Sequence, residues 1–399
     1  MTVTPVTSFD PRVPGAFLAP DYFAQLAELR RGGALHHLED DVYLVPRYAE
    51  VRAISRDPHT FCSSRGVLVN DPLRFAPADM SGSVLHTDPP EHAEWRRLVN
   101  REFTPRGVAH FEPRVRELAV AVLDAAPVGE EFDAVAALTA PFPVQVIAEL
   151  LGVGDADRDD FRRWSDAMIE APDTKDPEVL ARAGELWQFL DGHLRDRVTN
   201  PRDDLTSMLM HAEFDGRPLT HNEARIFCLS LLVAGNETTR HLLSGALLAL
   251  WEHPDQRAAL AADPSLVPGA VEECLRWVTP IQAFARTATV ATNVGGNPLP
   301  ADAFVIMLYA SANRDETTFG PTADAFDVTR PVDPPHLSFG FGEHLCLGAA
   351  LARMEARIFL TELLARTPEW DVTGAPDWAP STLVRGMRAL PVRRASMPA

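Results

Sequence analysis

The sequence predicts a mainly α-helical protein with small β-sheets, organised as a single domain over residues 1–399. Apolar residues recur at helical spacing through most of the middle of the chain, between segments rich in Pro, Gly and Asp. Short segments that suit strands occur within residues 1–100 and again near residues 280–286. The 399 residues, 46% of them hydrophobic, are enough for one large core, and no linker or repeat divides them.

The composition excludes several classes of protein. A formal net charge of −19 disfavours nucleic acid and anionic membranes as partners, since neither is attracted to the molecule as a whole. The longest uncharged apolar run, residues 226–235, is much shorter than the roughly 20 residues that cross a bilayer. Residues 1–15 lack the parts of a signal peptide, and the four cysteines form no CxxC pair. We expect a soluble, cytoplasmic protein without disulfides or a zinc site, and with no nucleic-acid or membrane partner.

A hairpin and a helix are expected near the start of the chain. Residues 35–38 and 42–45 are extended segments on either side of an acidic turn, and residues 48–56 have helical character. Residues 62–84 show neither the helical nor the strand spacing of apolar residues. A long irregular loop inside a compact domain is more often functional than accidental, so this loop is a candidate part of a binding site.

A basic pair follows in the segment HTDPPEHAEWRRLVNREFTP. Pro89 and Pro90 end the preceding structure, and the helix expected after them places His92 and Arg96 on one face. Such a pair suits a carboxylate, which it would hold by charge-assisted hydrogen bonds. The alternative is an ordinary solvated helix face.

Amphipathic helices are expected between residues 106 and 220, where little indicates chemistry. Their expected bounds are residues 111–123, 143–151, 157–169 and 178–198. An interruption rich in Pro and Asp, residues 170–177, is the candidate hinge between the last two.

Residues 222–253 form the longest expected helix. Its first part, IFCLSLLVAG, is apolar on every side, which is typical of a helix buried in a large domain. Glu237 and Thr238 follow directly, and burying a carboxylate costs several kcal/mol unless it is paired or functional. Gly235 is expected to weaken the helix locally, leaving room for a small ligand. The pattern indicates a functional site; the alternative is a helix N-cap at Thr238, with Glu237 in solvent.

The segment SFGFGEHLCLGAALARMEARI, residues 338–358, places one cysteine between a glycine-bearing loop and an amphipathic helix. The N–H groups and dipole of a helix N-terminus stabilise a thiolate, which is the form of Cys346 that binds metal. Gly340, Gly342 and Gly348 permit tight turns and the close approach of a flat ligand. Alone, such a cysteine is more often an ordinary buried residue.

The cysteine segment resembles the signature of the cytochrome P-450 family of haem-thiolate enzymes and meets each of its fixed positions. The matching residues are Phe339, Gly340, Gly342, His344, Cys346 and Gly348. A second motif, AGNETT, is similar to the oxygen-binding motif of the same family. Its matching residues are Ala234, Gly235, Glu237 and Thr238.

The resemblance implies the cytochrome P-450 fold and haem b as the cofactor, with Cys346 as the ligand of the iron. His92 and Arg96 would hold one haem propionate, and Arg286 would hold the other. A structural cluster is implied as well, and its members are Glu273, Arg276 and Arg330.

The implied reaction is a monooxygenation, in which one atom of O2 enters an organic substrate and the other is reduced to water. Glu237 and Thr238 would deliver the protons for O–O cleavage. The electrons require a separate ferredoxin and its reductase, because the chain lacks an iron–sulfur cysteine cluster and a nucleotide-binding glycine motif. The candidate docking patch comprises Arg97, Arg101, Arg353 and Arg357. A peroxygenase and a non-catalytic haem gas sensor are the alternatives, and the intact acid–alcohol pair disfavours both.

The expected substrate pocket is largely apolar, which predicts a largely apolar substrate. Its expected walls are the loop at residues 65–84, the region of Met168, and the side chains of Ser230, Val233, Ile281, Ala283, Phe284, Leu383 and Val384. Resemblance to bacterial family members that oxidise small aromatic acids and ethers suggests hydroxylation or O-dealkylation of such a molecule. Ser230 and either Arg65 or Arg74 are the candidate polar anchors. Terpenoids, fatty acids and polyketides would suit the same walls.

Overall fold

The computed structural model describes residues 4–5, 9–76, 80, 83–170 and 175–395. Parts of the expected loop at residues 62–84 and of the expected hinge at residues 170–177 lie outside these ranges. The described helices are α1 (Tyr22–Gly32), α2 (Tyr48–Ser55), α3 (Glu91–Val99), α4 (Pro105–Val108), α5 (Glu112–Ala125), α6 (Pro141–Leu151), α7 (Arg158–Glu170), α8 (Pro177–Thr199), α9 (Leu205–Met210), α10 (His221–Glu252), α11 (Pro254–Ala262), α12 (Val267–Val278), α13 (Tyr309–Ala312), α14 (Glu316–Phe319) and α15 (Ala349–Arg366).

The strands are short and form small sheets. They are β1 (Thr4–Pro5), β2 (His36–Glu39), β3 (Val42–Val45), β4 (Phe61–Cys62), β5 (Glu131–Asp133), β6 (Glu213–Phe214), β7 (Arg217–Pro218), β8 (Ala283–Ala288), β9 (Thr292–Val294), β10 (Asn297–Leu299), β11 (Phe304–Leu308), β12 (Trp370–Val372), β13 (Asp377–Trp378), β14 (Met387–Ala389) and β15 (Pro391–Arg394). The expected mainly helical fold with small sheets is confirmed. Within the described ranges, no helix combines the length and apolarity that crossing a bilayer requires.

Helix α10 runs through the helical part of the molecule and packs against α6, α7, α8, α9, α12 and α15. It begins with a capping box, in which the Thr220 hydroxyl accepts from the Glu223 N–H and the Glu223 carboxylate accepts from the Thr220 N–H. The helix is continuous through Gly235, so the expected local weakening is not seen. A Cβ at this glycine would lie 2.7 Å from Cδ1 of Ile147, and the glycine therefore serves the close packing of α6 on α10.

A six-stranded sheet with the order β1-β2-β3-β11-β8-β4 lies beside the helices. The expected hairpin is its β2–β3 pair, which is antiparallel. Strand β11 is fully buried between β3 and β8, and its apolar side chains fill cores on both faces of the sheet. Strand β8 carries Arg286 into the interior, and this placement matters for the site described below.

A buried ion cluster ties α12 to the chain that precedes the cysteine segment. The Arg276 guanidinium donates to both carboxylate oxygens of Glu273 at 2.7 Å, and Nε of Arg330 donates to the same carboxylate at 3.1 Å. Arg276 also donates to the carbonyls of Asn313, Ala323 and Ala325. One guanidinium thus ties α12 to two other backbone segments, at Asn313 and at residues 323–325.

Substitution of Arg276 by leucine is expected to lower the free energy of unfolding by about 3–5 kcal/mol, because it leaves a buried carboxylate and three buried carbonyls short of donors. Urea denaturation would measure the loss. Arg182→Leu is the matched control, since Arg182 makes a solvent-exposed pair with Glu178 that is worth less than about 1 kcal/mol. Equal losses in the two variants would contradict a stabilising role for the buried cluster.

Candidate functional site

The cysteine loop precedes α15 and is fixed by backbone contacts. The Cys346 N–H donates to the Phe339 carbonyl at 2.8 Å, which closes the loop. Gly342 has a φ of +73°, and a Cβ there would overlap the carbonyl oxygen of Ser55 at the end of α2. Only glycine meets both conditions without strain. The cysteine lies three residues before the first residue of α15, close to the expected position.

Cys346 is exposed to solvent. The surrounding protein raises the pKa of its thiol, while the Gly348 N–H and the charges of Arg96 and Arg353 oppose that rise. The Gly348 N–H thus acts in the direction expected of a helix N-terminus, but desolvation by the surrounding protein outweighs it. A bound metal cation is what deprotonates a thiol in such surroundings.

A cluster of basic side chains borders the same loop. Arg96 of α3 donates to the Leu345 carbonyl at 2.8 Å, and Arg286 of β8 donates to the Ala285 carbonyl at 2.7 Å. Among the described ion pairs, none involves either guanidinium. The His92 ring lies 4.1 Å from the ring of His344. Two arginines and two histidines thus converge beside the cysteine. Asp88 is a described carboxylate whose charge acts on His92 and Arg286, but it forms no described ion pair with either.

Burial controls the charge of this cluster. It lowers the pKa of His92 to about 4, with a further contribution from Arg96, and the pKa of His344 to about 2, with a further contribution from Arg286. Both imidazoles are therefore neutral at pH 7, and the positive charge rests on the two arginines. Such a cluster is complementary to anionic carboxylates.

The middle of α10 presents an open face, although the helix lies in the core. Ser230 and Ala234, one turn apart, are exposed, whereas Leu232 on the opposite face is buried, as is Phe227 in the turn before Ser230. Trp95 of α3 stacks near Phe227, with ring centroids 6.2 Å apart. Because the next residue of α3, Arg96, contacts the cysteine loop, α3 joins the cysteine loop to this part of α10.

The acid and the alcohol lie on this open face. The Thr238 hydroxyl donates to the Ala234 carbonyl at 2.6 Å, so Thr238 is inside the helix and is no N-cap. The Glu237 side chain is partly exposed, and its Oε1 lies 3.6 Å from Nε2 of His241. Sequence reasoning missed this histidine, although the spacing of four residues along a helix is a signal that points to such a contact.

These residues fit a haem. Cys346 supplies a thiolate ligand, and Arg96, Arg286 and His92 supply donors for the two propionates; Nε2 of His92 is buried with no described partner. A side chain at Gly348 would meet no atom within 4 Å, so open space lies next to the loop where a flat ring needs it.

The expected substrate-pocket residues come from segments that meet in space. Ile281 pairs with Val384 in an isolated antiparallel bridge, and the Gln282 N–H donates to the Leu383 carbonyl at 2.9 Å. Phe284 is half-buried, like Ile281 and Leu383. Ala283 differs, because it is fully buried in the core cluster of Leu44 and Phe304, which leaves it little surface to offer a ligand.

Most of the expected anchoring and docking arginines are already paired with acids. Arg65 pairs with Asp302 and Arg74 with Asp41, so neither presents a free charge to a ligand. Of the expected docking patch, Arg97 pairs with Glu94, Arg353 with Glu272 and Arg357 with Glu112. Arg101 is exposed. The patch is therefore less basic than its four arginines suggest.

Comparison with known proteins agrees with this geometry. The family model for cytochrome P450 matches residues 262–368. The chain is 36% identical to cytochrome P450 130 of Mycobacterium tuberculosis, over 98% of this chain and 99% of that protein. It is 39% identical to the erythromycin C-12 hydroxylase of Saccharopolyspora erythraea, over 90% of each. The structure of cytochrome P450 CYP109Q5 from Chondromyces apiculatus superposes with a TM-score of 0.86 at 38% identity, over the full length of both chains.

The site and these similarities define a haem-thiolate monooxygenase. The chain belongs to the cytochrome P450 family, and it is an oxidoreductase whose cofactor is haem b. Members of this family act on organic substrates with electrons from redox partners.

Proposed function

We propose that this enzyme oxidises a largely apolar organic molecule with O2 and with electrons from a ferredoxin, using Glu237 and Thr238 to manage protons. The observation that carries the proposal is the placement of this pair on the open face of an otherwise buried helix. In the overall reaction one oxygen atom enters a bond of the substrate. The other leaves as water with two protons and two electrons. The chain must therefore admit two protons to a site otherwise walled by apolar groups.

The roles of the haem-binding residues follow from their chemistry. Cys346 would hold the iron, while Arg96, Arg286 and the neutral His92 would hold the propionates. When bound, the haem supplies the activation of oxygen and the transfer of an oxygen atom. Gly348, Phe339 and Gly340 shape the loop that presents the thiolate.

Glu237 and Thr238 have complementary parts in proton delivery. The Thr238 hydroxyl donates its hydrogen to the Ala234 carbonyl at 2.6 Å, so its oxygen is free to accept a hydrogen bond from a ligand beside the open face of α10. The Glu237 carboxyl is 23% exposed and is able to exchange protons with solvent. A positioned acid next to a fixed hydroxyl is the arrangement that general acid catalysis requires.

The walls favour an apolar substrate with few polar contacts. Ile281, Phe284, Leu383 and Val233 offer hydrocarbon surface, and Ser230 offers the nearby hydroxyl, which now donates to the Ile226 carbonyl. A small aromatic molecule anchored by Ser230 is our first candidate. A polyketide is the second, because a relative named for hydroxylation of erythromycin matches 90% of this chain. The pairing of Arg65 and Arg74 with acids argues against a substrate whose carboxylate binds to either.

A spectral screen followed by turnover tests the proposal. Substrates that displace water from the ferric iron shift the haem from low to high spin, and we expect such shifts with small aromatic molecules and their loss in Ser230→Ala. Hits would then be incubated with NADH, ferredoxin and ferredoxin reductase, and product would form only with all three. Shifts with polyketides alone would favour the second candidate. Product from hydrogen peroxide but not from NADH would contradict the monooxygenase role proposed for Glu237 and Thr238.

A further inference from the structure

A buried imidazole lies one turn beyond Glu237 in α10. Nε2 of His241 is 3.6 Å from Oε1 of Glu237, and the His241 side chain is only 5% exposed. This separation is longer than a direct hydrogen bond and places the two polar groups in contact. Among the described residues it is the one ion pair in which Glu237 takes part.

The fold makes room for this ring at one glycine. Gly386 precedes β14, and a Cβ at that position would overlap the His241 ring along its Nδ1 edge. The imidazole is therefore held between the Glu237 carboxylate at Nε2 and the backbone of Gly386 at Nδ1. Any other residue at 386 would move the ring.

The His241 imidazole does not serve the stability of the folded protein well. Nδ1 is buried and has no hydrogen-bond partner among the described residues. An unpaired buried nitrogen costs stability, and an apolar side chain of similar size would avoid that cost. The imidazole is thus explained better by its contact with Glu237 than by core packing.

A competing partner for the carboxylate stands nearby. Arg240 is three residues from Glu237 on the same helix, a spacing at which an acid and a base pair readily. Its Nη2 is held by Asp166 of α7 at 2.7 Å, and its Nε has no described partner. Without His241, the Glu237 carboxylate has this guanidinium as its alternative partner.

We propose that His241 is a positioning residue, which holds the Glu237 carboxylate on the open face of α10 and keeps it from pairing with Arg240. The inference rests on the role proposed above for Glu237 in proton delivery. His241 would affect the reaction only by positioning Glu237. The imidazole itself need not exchange a proton.

The test compares three variants of the holoenzyme under turnover with ferredoxin and reductase. His241→Leu removes the polar nitrogens, His241→Gln keeps a polar group at the end of the side chain, and Gly386→Ala displaces the ring while leaving His241 in place. We expect product formed per NADH to fall about three- to tenfold in His241→Leu and Gly386→Ala, and to stay within about twofold of wild type in His241→Gln. Addition of Arg240→Leu to His241→Leu should restore much of the loss.

A second measurement does not depend on turnover. The infrared stretching frequency of CO bound to the ferrous haem reports the electric field around the CO, and we expect it to shift in His241→Leu and Gly386→Ala but not in His241→Gln. His193→Leu is the control, since His193 of α8 binds the Leu151 carbonyl and has no described contact with Glu237.

Two results separate the inference from the proposed function. If His241→Leu and Gly386→Ala keep the wild-type product yield and CO frequency while Thr238→Ala loses product, His241 has no positioning role and the proposed function stands. If Thr238→Ala and Glu237→Gln also keep the wild-type yield, both proposals are wrong. Should His241→Leu fail to fold, Gly386→Ala and His241→Gln still decide the question.

Discussion

Replacement of Cys346 by serine or histidine is expected to abolish the ferrous-carbonyl absorption band at about 450 nm, since that band requires a thiolate on the iron. Absorbance spectra of the reduced, CO-treated protein would measure it. Because Cys346 is exposed rather than packed in the core, the serine variant should fold with little loss of stability.

Cys62→Ser is the matched control for this experiment. Cys62 is buried in the sheet region and has no part in the proposed haem ligation, so the control should keep the band. Retention of the band in Cys346→Ser would show that another residue ligates the iron. Loss of the band in both variants would point to a general loss of structure, which circular dichroism would detect.

Thr238→Ala is expected to lower the product formed per NADH by about tenfold or more, with the missing electrons recovered as hydrogen peroxide. The physical reason is that the hydroxyl, fixed by its bond to the Ala234 carbonyl, acts only after oxygen has bound. Haem content and the substrate-induced spin shift should stay unchanged. Parallel assays of NADH, product and peroxide would measure the effect.

The neighbouring threonine provides a close control. Thr239 is 3% exposed and lies on the buried side of α10, so Thr239→Ala removes the same atoms away from the open face. It should cost some stability but leave the yield of product per NADH near that of wild type. Equal uncoupling in both variants would mean that helix packing, rather than the Thr238 hydroxyl, controls proton delivery.

The regular elements of this chain were predictable because their signals are local. Helices α2, α5, α7, α8 and α10 and the β2–β3 hairpin lie within a few residues of the bounds expected from periodicity and turn residues. The side chains that face the core are apolar, so their spacing along the chain has the period of the helix or strand and can be read from the sequence. The π-helix at Val135–Thr139 escaped prediction, since nothing in its composition separates it from an α-helix.

Candidate site residues were predictable where a motif fixes their spacing. The cysteine segment and the acid and alcohol in AGNETT could be singled out from residue types, and resemblance to the family's motifs added Glu273 and Arg276. The ion pairs of Arg65 and Arg74 could not be predicted, because their acid partners Asp302 and Asp41 lie far away in the chain. No local pattern indicates which distant carboxylate a surface arginine will meet.

The sequence by itself determined the helical class, the buried helix with an acid in it and the cysteine at a helix start, because each follows from short-range spacing. Only the tertiary structure decided that His92, Arg96, Arg286 and His344 converge without a described ion pair, since α3, β8 and the cysteine loop come together through packing. It also decided that the ring of His241 rests against Gly386, 145 positions further along the chain. Contacts of that range are fixed by how whole elements fill space, and no window of sequence contains both partners.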